Sequence, residues 1–152
     1  MINSELNFTL EYILPKFPKE FQEKIKHSVD LLRKGEKLAL AYSPDEGFYL
    51  SFSMGKDSQC LYHIAKIAGV KFKAHMGLTS VDPPEVIKFG REQYPDVDMI
   101  KPKISIYNQD RKEGVLPTRL IRWCCRVYKE GIGAGNVVLI GIRQAESIKR
   151  SG

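Results

Sequence analysis

The sequence predicts an α/β domain built on a mostly parallel, twisted sheet with flanking helices, and three observations lead there. Short apolar or aromatic-rich runs alternate with segments whose apolar residues recur at helical spacing. Clusters of Gly, Pro, Asp and Ser fall between those segments, where turns belong. The chain of 152 residues, 43% apolar and 28% charged, is long enough to bury a core and has the composition of one soluble globular domain.

Taken in order, residues 18–34 read as an amphipathic helix: Phe21, Ile25, Val29 and Leu32 share a face, and Gly35 stands where a C-terminal cap belongs. Ser43-Pro44-Asp45-Glu46-Gly47 is a turn, and residues 48–53 follow as a strand. Residues 57–68 form a helix with Leu61, Ile64, Ala65 and Ala68 on one face, closed by Gly69, and residues 70–76 the next strand. Asp82, Pro83 and Glu85 supply an N-cap, a first-turn Pro and an acidic first turn, which starts a helix running to about Tyr94. A short strand at 97–100 leads into an irregular stretch to Pro117. Thr118 starts a helix to about Glu130, Gly131, Gly133 and Gly135 make a loop, and residues 137–142 read as a strand buried on both faces. Residues 1–45 form an N-terminal helical extension and 46–152 the α/β core of a single domain.

Composition also excludes functions. No apolar run reaches the roughly 18 residues a membrane span needs, and the start of the chain lacks the pattern of a signal peptide, so a cytoplasmic protein without membrane partners is expected. Three cysteines, two of them adjacent, make no disulfide framework. A net charge of +6 suits an anionic partner, either a phosphorylated small molecule or nucleic acid, and equally a plain solvated surface.

In parallel sheets ligands sit beyond the C-terminal strand ends, which directs attention to Ser53, residues 76–80 and residues 141–143. The first reads Ser51-Phe52-Ser53-Met54-Gly55-Lys56-Asp57-Ser58, leaving a strand and entering a helix. A helix start offers unpaired N–H groups and partial positive charge to a phosphate. Gly55 permits close backbone approach, Lys56 adds a charge, and Ser53 and Ser58 carry hydroxyls. Asp57 in the first turn is explained equally by simple capping. The common nucleotide P-loop is ruled out, since it requires Gly where Leu50 stands and Ser or Thr where Asp57 stands.

This loop resembles the pyrophosphate-binding Ser-Gly-Gly-x-Asp-Ser of ATP pyrophosphatases. The likeness is nearest to the superfamily of phosphoadenylylsulfate reductases and the small subunit of ATP sulfurylase. Met54 departs from the usual Gly, at a position where the sulfurylase subunits carry an aliphatic residue. Two more segments resemble the phosphoadenylylsulfate reductase family: Thr79-Ser80-Val81-Asp82-Pro83-Pro84-Glu85, and Gly141-Ile142-Arg143-Gln144-Ala145-Glu146-Ser147 with Arg150. Together they cover roughly residues 45–150.

The resemblance implies an adenine nucleotide alpha hydrolase-like fold. It implies a site for ATP, adenylylsulfate or phosphoadenylylsulfate formed by Ser51, Ser53 to Ser58 including Met54, Thr79, Gly141, Arg143, Glu146 and Arg150. Lys56, Asp57 and Arg143 are the implied catalytic groups, acting in sulfonucleotide or adenylyl-transfer chemistry, with Mg²⁺ if ATP is the substrate. An ion pair of Glu146 with Arg143 or Arg150 is the structural rival for those arginines.

Cys124 and Cys125 lie in Arg-Trp-Cys-Cys-Arg, with Ile121, Cys124, Cys125 and Tyr128 expected on one helical face and Arg119, Arg122, Arg126 and Lys129 as a basic stripe opposite. Buried small hydrophobes are one reading of the thiols. In many relatives such a pair joins a later Cys-x-x-Cys to hold an iron–sulfur cluster or another metal, and the sequence contains no such later pair. Neither does it contain the C-terminal cysteine of true reductases, so reductase activity by this chain alone is not expected. A natural end, a truncated form and a partner chain or homo-oligomer supplying further cysteines all remain open. Cys60 reads as core. His27, His63 and His75 show no metal spacing, with His75 alone at a strand end beside the site. The alternative function is a non-catalytic binding or assembly module, or a component of nucleic-acid sulfur modification.

Overall fold

The computed structural model describes residues 10–118 and 120–142. Four parallel strands, β1 (Phe48–Ser51), β2 (Phe72–Gly77), β3 (Asp98–Ile100) and β4 (Val138–Ile140), form one sheet in the order β3-β2-β1-β4. Helices α1 (Leu10–Ile13) and α2 (Lys19–Tyr42) precede β1, and α3 (Lys56–Ala68) and α4 (Pro84–Gln93) connect β1, β2 and β3. Between β3 and β4 come α5 (Ile106–Glu113) and α6 (Trp123–Cys125), the latter widening into π-type turns over Arg126–Glu130. The α/β class and the parallel sheet expected from the alternating pattern are therefore present.

Register sorts the strand residues onto two faces. Phe48 pairs with Phe72 and Leu50 with Ala74, on the face covered by α2, α3 and α4. Leu50 and Ala65 are fully buried there beside Val29, Ala39 and Tyr62. Burying a Leu side chain contributes roughly 1.5–3 kcal/mol, so this face carries much of the stability. On the other face Tyr49 pairs with Lys73 and Ser51 with His75, half-covered by the segment from Tyr128 to Gly133. Gly77 allows that approach: a Cβ there would lie 2.7 Å from the Tyr128 carbonyl.

The chain steps from β1 to β2 to β3 in one direction, then returns to place β4 on the other side of β1. The strand order thus reverses between β1 and β4, which opens a crevice at their C-terminal ends.

Several boundaries depart from expectation. Helix α2 runs through Gly35 to Tyr42, because Gly35 lies against the Phe48 ring, where even a Cβ would approach to 3.2 Å. Asp82 does not cap α4; its carboxylate accepts from the Thr79 N–H, and Pro84 is the first helical residue. The irregular stretch contains α5, capped by the Ser105 hydroxyl and ended by a left-handed Gly114. Thr118 starts no helix; its hydroxyl accepts from the N–H groups of Leu120 and Ile121, and the helix begins at Trp123. Among the described residues β4 lies at the sheet edge, and Val138 and Ile140 are exposed, so its apolar run is not buried on both faces.

Candidate functional site

Between β1 and α3 the chain turns in four residues, held at both ends of the turn. Met54 adopts φ 59°, a left-handed conformation disfavoured for a side-chain-bearing residue by roughly 1–2 kcal/mol. Its side chain offsets this by lying buried against α4 at Gly90, where any Cβ would collide with the Met54 methyl. Gly90 inside a helix is thereby explained.

The Ser58 hydroxyl, 5% exposed, donates to the Gly55 carbonyl at 2.9 Å and accepts from the Ser53 N–H at 3.2 Å. With its single proton spent on Gly55, the 3.2 Å contact between the Ser53 and Ser58 oxygens has Ser53 as donor. Ser58 is thus a strut inside the loop, whereas Ser53, Gly55 and Lys56 are exposed on its rim. Gly55 is the N-cap of α3 and has no side chain with which to cap it, at a helix start whose first N–H groups look outside the helix for acceptors.

Beside this loop lies a cavity of about 570 Å³, the size of ordinary small-ligand sites. Ser51 lines it from β1, Ser53 from the turn after it, His75 and Gly77 from β2, Asp82 from the following loop, and Val138 and Ile140 from β4. Its far wall is the segment carrying Arg122, Cys125, Lys129 and Asn136. Lys56, Asp57 and Ser58 are not among its lining residues. Asp57 and Gly141 open instead onto a second groove of about 530 Å³ between α2, α3 and β4, with Cys60, Leu61 and Ile142. The loop is a ridge between this cavity and that groove. Gly141 fits tightly there, since a Cβ would stand 2.8 Å from the Asp57 carbonyl oxygen. Thr79 is half-buried beside the cavity mouth without lining it.

His75 forms part of the cavity floor, 7% exposed and stacked on Tyr49 with ring centroids 4.3 Å apart. Among the described residues neither ring nitrogen has a hydrogen-bond partner; Asp98 lies at 3.5 Å and Glu46 at 3.8 Å. Burial lowers its pKa, against the opposing pull of the Asp98 and Glu46 carboxylates. Burial also pushes the Tyr49 hydroxyl up to about 12, assisted by Asp98 and Glu46. His63 is likewise lowered by burial, and His27 lies exposed on α2.

The expected cysteine helix is arranged differently. Trp123 and Tyr128 are its buried residues, fastened to the Val115 and Ile104 carbonyls, while Ile121 is 46% exposed. Cys124 and Cys125 are half-buried, and the Arg122 guanidinium lies 3.3 Å from the Cys125 sulfur. Arg126 pairs with Glu113. Among the described residues no group of three or more His, Cys, Asp or Glu is placed to hold a metal ion. Cys60, expected in the core, is exposed. Mg²⁺ makes a smaller demand on the protein, since water and substrate phosphates supply most of its ligands and one or two carboxylates, such as Asp57, the rest.

Arg143, Glu146 and Arg150, like Arg119 in the basic stripe, fall outside the described residues. Sequence reasoning missed Gln59, Gly90 and Tyr94, which hold the loop from α3 and α4; an unexplained Gly inside a helical pattern was the available signal. No described helix is long and apolar enough to cross a membrane. No protein-family model matches the chain, and no curated protein matches it in sequence.

Proposed function

We propose that the chain binds an adenine nucleotide across the C-terminal edge of its sheet, with the phosphates at residues 53–58 and the remainder in the adjoining cavity. The observation that carries this reading is the course of Ser53 to Ser58. It leaves β1 at the point where strand order reverses and opens α3 at Gly55 and Lys56, both exposed and without a side-chain cap from Gly55. The likeness of residues 53–58, 79–85 and 141–150 to the phosphoadenylylsulfate reductase family supports ATP, adenylylsulfate or phosphoadenylylsulfate as the ligand class.

No protein nucleophile is required by adenylyl-transfer chemistry, so the rate enhancement rests on positioning and charge. In this reading Gly55 and the first turn of α3 orient the phosphates, while Lys56 and Arg143 offset charge developing on them. Bound Mg²⁺, with ATP as substrate, would draw on Asp57 and polarise the phosphates. Arg122 and Lys129 line the opposite wall and favour the same sign of ligand.

A nucleic-acid-binding or assembly module is the second reading, motivated by the basic stripe. It predicts binding that weakens steeply with salt. The pairing of Arg126 with Glu113 and the turning of Arg122 and Lys129 toward a concave cavity favour a small anion over an extended one. Calorimetric titration with ATP, adenylylsulfate and phosphoadenylylsulfate, with and without Mg²⁺, tests the first reading. Saturable 1:1 binding weakened by Lys56→Ala is expected, and no binding of any of the three overturns it. Pyrophosphate release from ATP, with and without sulfate, then separates turnover from binding.

A further inference from the structure

We infer that Gln59 and Tyr94 are positioning residues of the phosphate site, which aim the Gly55 N–H by fixing the peptide that precedes it. The inference rests on the nucleotide reading above and names residues outside the loop that set its geometry. The Gln59 side-chain amide donates to the Met54 carbonyl at 2.7 Å. A carbonyl only accepts, so the amide nitrogen must face it and the amide oxygen must point away. That oxygen accepts from the Tyr94 hydroxyl at 2.9 Å. Tyr94 is itself immobilised: 7% exposed, it packs its ring against Phe52 and Tyr62, with the His63 ring nitrogen 3.4 Å from its hydroxyl.

A trans peptide is planar, with its C=O and N–H directed oppositely. Holding the Met54 carbonyl toward α3 therefore turns the Gly55 N–H to the other side of the loop, where Gly55 is exposed and no described residue accepts from it. Without that bond the 54–55 peptide is free to rotate and present its carbonyl, which repels a phosphate. The Met54 side chain in its slot at Gly90 fixes where the loop lies; Gln59 fixes which way it presents its polar groups. The chain of bonds from Tyr94 through Gln59 to Met54 joins residues far apart in sequence, and each member is oriented by the next.

Inorganic pyrophosphate and ATP are titrated calorimetrically into wild type, Gln59→Leu, Tyr94→Phe and the double variant, at a temperature where circular dichroism finds all four folded. Gln59→Leu is expected to weaken binding about tenfold, as for loss of one oriented donor, and Tyr94→Phe about threefold. Because Tyr94 acts through Gln59, the double variant binds no more weakly than Gln59→Leu alone. The Gly55 amide resonance shifts with pyrophosphate in wild type and stays in place in Gln59→Leu. Wild-type affinity in Gln59→Leu, or an undiminished Tyr94→Phe effect in the double variant, overturns the inference while leaving nucleotide binding intact. A wild type that binds neither probe overturns the nucleotide reading, and this inference with it. If Gln59→Leu does not fold, Tyr94→Phe, which removes one oxygen, decides alone by weakened or unchanged affinity.

Discussion

The loop beside the cavity and the wall across from it are built in opposite ways. The loop wall is short and fastened at nearly every residue: Met54 is wedged at Gly90, its carbonyl is held by Gln59, and Ser58 braces Ser53 and Gly55. The far wall, from Arg122 to Asn136, is longer and rests on the sheet where Gly77 and Gly133 leave room. Its fastenings are the Tyr128 hydroxyl to the Ile104 carbonyl, the Trp123 indole to the Val115 carbonyl and an exposed Arg126–Glu113 pair. A binding site needs donors fixed where charge must be held, whereas shape can be supplied by side chains that adjust. The difference assigns orientation to the loop and enclosure to the far wall.

The largest effect that would break this contrast comes from glycine. Gly141→Ala drives a Cβ onto the backbone of Asp57, which cannot yield as a side chain does, and should cost about 1–3 kcal/mol. Gly77→Ala meets the flexible end of Ile132 and, at 2.7 Å, the Tyr128 carbonyl; the far wall can shift outward as a unit, so a smaller loss is expected, with that wall displaced. Equal losses in denaturant melts would remove the distinction between a rigid and an adjustable wall. Met54→Gly sharpens the comparison. It relieves the left-handed backbone but empties the slot at Gly90, and the lost burial outweighs the relief by about 1 kcal/mol. A variant more stable than wild type would show that backbone strain dominates there.

On the far wall, Tyr128→Phe removes one hydrogen bond to the Ile104 carbonyl and should cost about 0.5–1.5 kcal/mol, without weakening pyrophosphate binding beyond twofold. The smallest effect is on pH. The folded pKa of His75 lies below its unfolded value near 6.5, so the unfolded chain takes up the proton first as pH falls. Its contribution is fully present above about pH 6.5 and is lost as pH drops toward the folded value. His75→Phe should flatten that part of the stability profile relative to wild type, in urea melts from pH 7.5 to 5. An unchanged slope would mean that other groups carry it, His63 first among them.

Much of the fold is legible because strand–helix alternation and turn residues are local signals. The course of residues 48–69 follows from Phe48-Tyr49-Leu50, the Ser53 to Ser58 turn and the Gly69 cap, with strand and helix ends shifted by a residue or two. The signals for α5 are equally local, Ser105 before it and Gly114 after it, and were overlooked in a polar segment. Other features depend on neighbours that sequence does not reveal. Gly35 reads as a helix end until Phe48 packs against it, and 137–142 reads as a buried strand until the topology puts it at the edge. Cys60 reads as core although its side of α3 faces out. In the site, Ser53 to Ser58 stand out by residue type, whereas Gln59 and Tyr94 become visible only when α3 and α4 are brought together.

Amide chemical-shift mapping during titration with ATP reports whether anions seat on the loop. Saturable shifts are expected, largest at Ser53 and Gly55 through Ser58, with smaller ones at Arg122 and Lys129. Shifts confined to residues 122–136 with the loop unperturbed, or no shifts at all, would contradict it.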